Sequence, residues 1–153
     1  MDYTPEENLL RFIRESNAIE DIHHEPTQKE IKEYNRFLDL DEVKIADLIM
    51  FVSVNAPGHK LRDKQGADVW IGGELAPLGG AALPYKLQTI LDDMEEAGAY
   101  STHIKYEHLH PFTDGNGRSG RMLWLWQINK QRSIPKLSFL RLFYYQTLGE
   151  TRE

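Results

Sequence analysis

Apolar residues recur at helical spacing along most of this chain, and one central stretch breaks the pattern. Thr4-Pro5-Glu6-Glu7 forms a capping box: the Thr4 hydroxyl can accept from the Glu7 amide, Pro5 suits the first helical position, and Glu7 can reach back. Leu9, Leu10, Ile13 and Asn17 share one face, with Phe12 and Ile19 beside them, which predicts an amphipathic helix ending near residue 19. A second box, Thr27-Gln-Lys-Glu30, opens a helix carrying Ile31, Tyr34 and Leu38. DEVKIADLIMFVSV repeats apolar residues through Val43, Ala46, Ile49 and Val52, and NAPG stops it. Further on, Pro84 opens a helix with Leu87, Ile90, Leu91 and Met94. Residues 102–109 read as helical, GRSGRMLWLWQINKQ as a long buried helix, and KLSFLRLFYYQTL as a final one. The exception is HKLRDKQGADVWIGG, where a glycine-containing turn between short runs with Val69, Trp70 and Ile71 predicts a β-hairpin over residues 60–72. ELAPLGGAALP then reads as a loop. The expectation is an all-α domain over residues 1–153, of seven or so helices with one small hairpin.

That length suffices to bury a core without covalent staples. The chain has no cysteine, so disulfides, a thiol nucleophile and cysteine-ligated metals are excluded. Twenty-four acidic against 18 basic residues give a net charge of -6, which argues against general nucleic-acid binding. Any anion must then be held by a local positive site. The first residues carry acids where a secretory signal would be basic, and no window approaches the ~18 apolar residues of a membrane span. A cytoplasmic location away from membranes is the expectation.

Charge and glycine concentrate in HLHPFTDGNGRSGR, residues 108–121. Gly115-Asn-Gly117-Arg-Ser-Gly120 satisfies a dinucleotide-binding pattern, but a helix precedes it and no acid follows at the required distance. His103, His108 and His110 invite a metal reading, but His103 and His108 are five apart, and packing or solvent exposure suits these two better. The whole string fits a third reading. The amides of Gly115, Asn116 and Gly117, at a helix start, can form an anion nest. Arg118 and Arg121, three apart, can grip phosphate oxygens there. Asp114 supplies the hard oxygen that Mg²⁺ prefers, and His110 can take a proton from an incoming hydroxyl. These are the parts that nucleotidyl or phosphoryl transfer needs. Two cations at the positive end of a helix are unfavourable without an anion, which weighs against an inert turn.

The string HPFTDGNGRSGR over 110–121 resembles the Fic family signature, HPFx(D/E)GNGRxxR, at every defined position. LRDKQGADVWIGG resembles the family's flap hairpin and FYYQTL the tyrosine-bearing end of its last helix. The resemblance implies a helical Fic fold that transfers AMP from Mg-ATP to a hydroxyl of a target protein. It implies that His110 is the general base, that Asp114 holds Mg²⁺, and that Gly115, Asn116 and Gly117 line the phosphate turn. Arg118 and Arg121 would grip the polyphosphate, Phe112 would anchor the loop in the core, and Val69, Trp70 and Ile71 would dock the target by strand addition. Ser16-Asn-Ala-Ile-Glu20 resembles the family's inhibitory motif (S/T)xxxE(G/N), which implies that residues 4–20 form an inhibitory helix and that Glu20 pairs with Arg121. Asp21 departs from the usual Gly or Asn, which readily take the left-handed conformation that ends a helix. Holding ~99% of molecules inhibited takes roughly 2.7 kcal/mol, within reach of one partly buried ion pair.

Alternatives remain at this level. The same site could remove AMP with Glu20 orienting a water, or transfer UMP, GMP or phosphocholine. Phosphate transfer fits less well because the GNG turn is intact. A nucleotide-sensing interaction module is the non-enzymatic reading. The acceptor could be the chain itself, and self-association stays open. Trp124, Trp126, Tyr144 and Tyr145 suit core packing better than an adenine pocket.

Overall fold

A computed structural model describes residues 4–131; the final predicted helix, with Tyr144 and Tyr145, lies outside the described residues. In order the elements are α1 (Pro5–Ile19), α2 (Gln28–Leu38), α3 (Ile45–Asn55), β1 (Trp70–Ile71), β2 (Glu74–Leu75), α4 (Ala82–Asp92), α5 (Met94–Ala97), α6 (Ala99–Leu109) and α7 (Asn116–Gln131). Both capping boxes form: Thr4 and Thr27 accept from the amides of Glu7 and Glu30, whose carboxylates reach back. The fold is helical with one small antiparallel sheet, as the periodicity implies. Among the described residues, no helix is long and apolar enough to cross a membrane.

Helix α7 is the axis. Met122 through Ile128 are all buried, so every face of this helix needs cover, and α1, α2, α3 and α6 supply it. Trp124 and Trp126 are core residues, and the Trp126 indole donates to the Leu40 carbonyl at 2.9 Å. Tyr34 of α2 meets Phe12 of α1 and Phe51 of α3 edge-on, at centroid distances of 6.3 and 5.0 Å. Each such buried side chain contributes about 1.5–3 kcal/mol by leaving water. Buried apolar residues of these helices form one cluster around α7.

Three boundaries differ from expectation. The hairpin lies at 70–75, not 60–72, with Trp70 opposite Leu75 and Ile71 opposite Glu74. Its turn is Gly72-Gly73, whose φ values of 55° and 88° match the twist that a two-residue hairpin requires. Gly66 also has positive φ, but it serves a local turn, and residues 60–62 instead run beside 111–113. Helix α4 starts two residues before Pro84, and α6 begins at Ala99, just after Gly98 breaks the chain from α5.

Candidate active site

Helix α6 ends at His110, which adopts a left-handed conformation (φ 51°, ψ 62°) while its N–H still donates to the Tyr106 carbonyl at 2.9 Å. Pro111 forbids continuation of the helix. Positive φ at a non-glycine residue costs free energy and marks a position where the surroundings dictate the backbone. Burial depresses the His110 imidazole below its ordinary value, and the Arg62 charge adds to this. The neutral ring, able to accept a proton, is therefore the favoured form at pH 7.

The loop after His110 is pinned at almost every residue. Phe112 is fully buried, as expected, and the Asn116 side chain staples it: Phe112 N–H donates to Asn116 Oδ1, and Asn116 Nδ2 donates to the Phe112 carbonyl, both at 2.8 Å. On the other side, Arg62 N–H donates to the Pro111 carbonyl at 2.9 Å and Thr113 N–H to the Lys60 carbonyl at 3.0 Å. Gly115 has φ 82°, and a Cβ there would stand 3.0 Å from the Ala56 methyl. No other residue suits both constraints.

At the mouth of α7 the first-turn amides have no intrahelical partner. Glu20 projects over this turn, so close that a Cβ on Gly117 would fall 2.2 Å from its Oε1. Arg121 donates through Nη2 to Glu20 Oε1 at 2.8 Å, through Nε to Ser16 Oγ at 2.7 Å, and to the Ser16 carbonyl at 3.1 Å. Ser16, Glu20 and Arg121, far apart in sequence, thus converge. Arg118 turns elsewhere: its Nη1 donates to the carbonyl of Asn55, the last residue of α3. The carboxyl ends of α1 and α3 both point at the amino end of α7, and their negative dipole ends receive the two guanidiniums. This resolves the electrostatic problem of two cations at a positive helix end. In this arrangement neither arginine reaches outward.

Asp21, the residue that departs from the inhibitory pattern, does take the left-handed conformation (φ 58°). Its N–H donates to the Ala18 carbonyl and the Ile22 N–H to the Asn17 carbonyl, a Schellman ending that aims Glu20 at α7.

Asp114 stands at the lip with its side chain 60% exposed. Gly115 N–H fixes Oδ1 at 2.8 Å, leaving Oδ2 outward, 3.8 Å from His59 Nε2. One oriented carboxylate on an exposed side chain, beside a prospective phosphate site, fits Mg²⁺, which keeps several waters and shares phosphate oxygens. The three candidate histidines do not gather: His103 is buried with Nδ1 against the Gly120 carbonyl at 3.1 Å, while His108 is exposed.

Beside His110 a groove of about 970 Å³ opens, walled by Ile71, Glu74, Leu75, Leu78 and Ile104. Of the three flap residues expected to dock a target, only Ile71 is in this wall; Val69 and Trp70 are not, and β2 rather than β1 forms its edge. The Fic/DOC family model matches residues 16–128, from Ser16 through the whole loop and most of α7. The chain belongs to the Fic/DOC family. No curated protein matches it. Fic enzymes typically attach a nucleotide monophosphate or a related group to proteins, and this chain carries the Fic loop on the helical Fic frame.

Sequence reasoning missed four residues of this Fic site. His59 donates or accepts at Thr113 Oγ1 (2.9 Å), Asn55 receives Arg118, and Arg62 holds the His110 carbonyl at 2.7 Å. A fourth is Glu107, which lines the groove and approaches His103 Nε2 to 3.8 Å. Burial pushes its carboxyl up to about 7. An i,i+4 spacing from His103 was the only signal of this pair in the sequence.

Proposed function

We propose that this Fic protein is an adenylyltransferase that moves AMP from Mg-ATP to a hydroxyl of a target protein, and that Glu20 restrains it. The observation that carries the reading is the meeting of three groups at one helix mouth: a neutral-biased His110, the open amides of α7, and an Arg121 already holding a carboxylate. A site that seats the Glu20 carboxylate on a guanidinium, over the first turn of a helix, has the chemistry to seat a phosphate there.

In the transfer, the acceptor oxygen attacks the α-phosphorus, the bond to the bridging oxygen of pyrophosphate breaks, and the acceptor proton goes to His110. Bound Mg²⁺ would neutralise charge on the phosphates from Asp114. Gly115, Asn116 and Gly117 would present the amide turn. Arg121 would exchange Glu20 for a phosphate oxygen, and Arg118 would leave Asn55 or act from there through its charge. Glu20 and the phosphates compete for the Arg121 guanidinium and for the space over Gly117, which is the physical basis of inhibition. A charge-assisted pair of this kind contributes about 1.5–3 kcal/mol, enough for the roughly 2.7 kcal/mol that a 99:1 restraint requires. The second reading is removal of AMP from a modified protein. It draws on the Glu20 carboxylate, which is 36% exposed beside the mouth and could orient a water.

Incubating the E20G variant with α-labelled ATP, Mg²⁺ and a lysate tests the reading. Protein-bound label that disappears in E20G/H110A, with AMP identified by mass spectrometry, supports adenylylation; H110A should lower transfer at least ~100-fold. Label transferred only from the γ-position would indicate kinase chemistry. Loss of label from a pre-modified protein would favour removal. ATP binding with no transfer at all would favour a sensing module.

A further inference from the structure

Arg62 is fully buried, yet among the described residues no carboxylate forms a direct ion pair with it, and Asp68 acts on it only through its charge. Its guanidinium donates to backbone carbonyls: Nε to His110 at 2.7 Å, Nη2 to Leu109 at 2.8 Å, and Nη1 to Ala67 at 3.1 Å and Pro77 at 2.8 Å. Its own backbone adds an N–H bond to the Pro111 carbonyl and accepts from Gly80 N–H, both at 2.9 Å. Three of these six bonds go to residues 109–111 and three to the two roots of the flap, at 67 and at 77–80. Burying a charged side chain is costly unless its donors are used. Here they are spent on joining the end of α6 to the two roots of the flap.

We propose that Arg62 is a positioning residue that locks the flap roots and the His110 backbone into one body. A target segment lying in the groove along β2 then meets the imidazole at a fixed separation. This rests on the reading of His110 as the base. The left-handed His110 peptide needs an outside restraint, and Arg62 supplies it at the carbonyls that end α6, where a cation also suits the helix dipole. Lysine would keep the charge but cannot spread donors over four carbonyls as a planar fork does. Gly79 gives access from the flap side: a Cβ there would lie 2.3 Å from the Ala67 oxygen that Arg62 holds.

The test uses R62K and G79A, each in the E20G background, with fold checked by circular dichroism. Transfer kinetics should show kcat about 100-fold lower in R62K, as for a displaced catalytic group, with KM for ATP within about threefold. G79A should lower kcat in the same sense, although the substitution lies in the flap. Hydrogen exchange gives a readout independent of activity. R62K should speed exchange at Gly80 and at His110 together, about tenfold or more. Unchanged kcat in R62K, or faster exchange confined to one side, overturns the proposal. So does a G79A effect seen only in KM for the protein substrate. If E20G itself transfers nothing, the reading of the chemistry fails, and the exchange data alone decide whether Arg62 couples the two segments.

Discussion

The loop from His110 to Arg121 and the hairpin beside it are built on opposite rules. In the loop, Phe112, Asn116, Ser119 and both arginines are buried and hydrogen-bonded to backbone or to neighbouring helices. In the hairpin, all four strand residues are exposed, Trp70 at 69%, and order comes from a two-glycine turn and from Arg62 at the roots. A group that must stabilise charge in a fixed place gains from being organised before substrate arrives. A surface that must accept another chain gains from leaving backbone and apolar side chains uncommitted. On the proposed function, the contrast separates the part that would perform chemistry from the part that would receive the acceptor.

Substitutions in the two regions should differ accordingly. The largest stability loss is expected for N116A, which strands both the N–H and the carbonyl of buried Phe112; about 3 kcal/mol in urea unfolding is the expected cost. A loss below 1 kcal/mol would mean the staple is not what orders the loop.

Between the regions sits Glu107, facing His103 on one side and the groove on the other. Its carboxyl is raised to about 7 and the His103 imidazole is lowered to about 4, each by burial. The folded form holds the Glu107 proton more tightly, so stability from this group falls as pH rises from the ordinary carboxylate range to about 7. For His103 the sign is opposite: stability rises between about 4 and the ordinary 6.5. The two trends offset each other in mildly acidic solution. In E107Q only the rising one remains, so thermal melts should show this variant gaining on the parent between pH 5 and pH 8. Equal pH profiles would show that Glu107 stays ionised.

Smaller effects mark the edges. D21G should stabilise the chain by about 0.5–1 kcal/mol by relieving the left-handed aspartate that ends α1; its exposed contact with His23 offsets little. W70A should change unfolding free energy by less than about 0.5 kcal/mol. A large loss in W70A would erase the distinction between a pinned loop and an open hairpin.

The helices were legible in the sequence because their signals are local. Thr4 and Thr27 announce their own helix starts, and the GNG turn announces α7. The ion pair of Glu20 with Arg121 was legible only through the resemblance, since nothing in the spacing of residues 16–20 points to α7. The hairpin was misplaced because Gly66 and Gly72-Gly73 are equivalent turn signals until the positions of residues 60–62 against the loop are known. Arg62 and Asn55 were missed for a related reason. Each acts through backbone carbonyls or as one, and carbonyl placement is a property of the fold that residue identity does not carry. Arg118 illustrates the cost: its spacing from Arg121 put both on one turn, but the end of α3 claims it.

On the proposed reading, Glu20 occupies the place on Arg121, over the first turn of α7, that a nucleotide phosphate would take. The most direct measurement is protein-bound label from α-labelled ATP with Mg²⁺, comparing the parent chain with E20G. Roughly 100-fold more label is expected in E20G, in line with release of a 99:1 restraint. Equal labelling of the two proteins would contradict it.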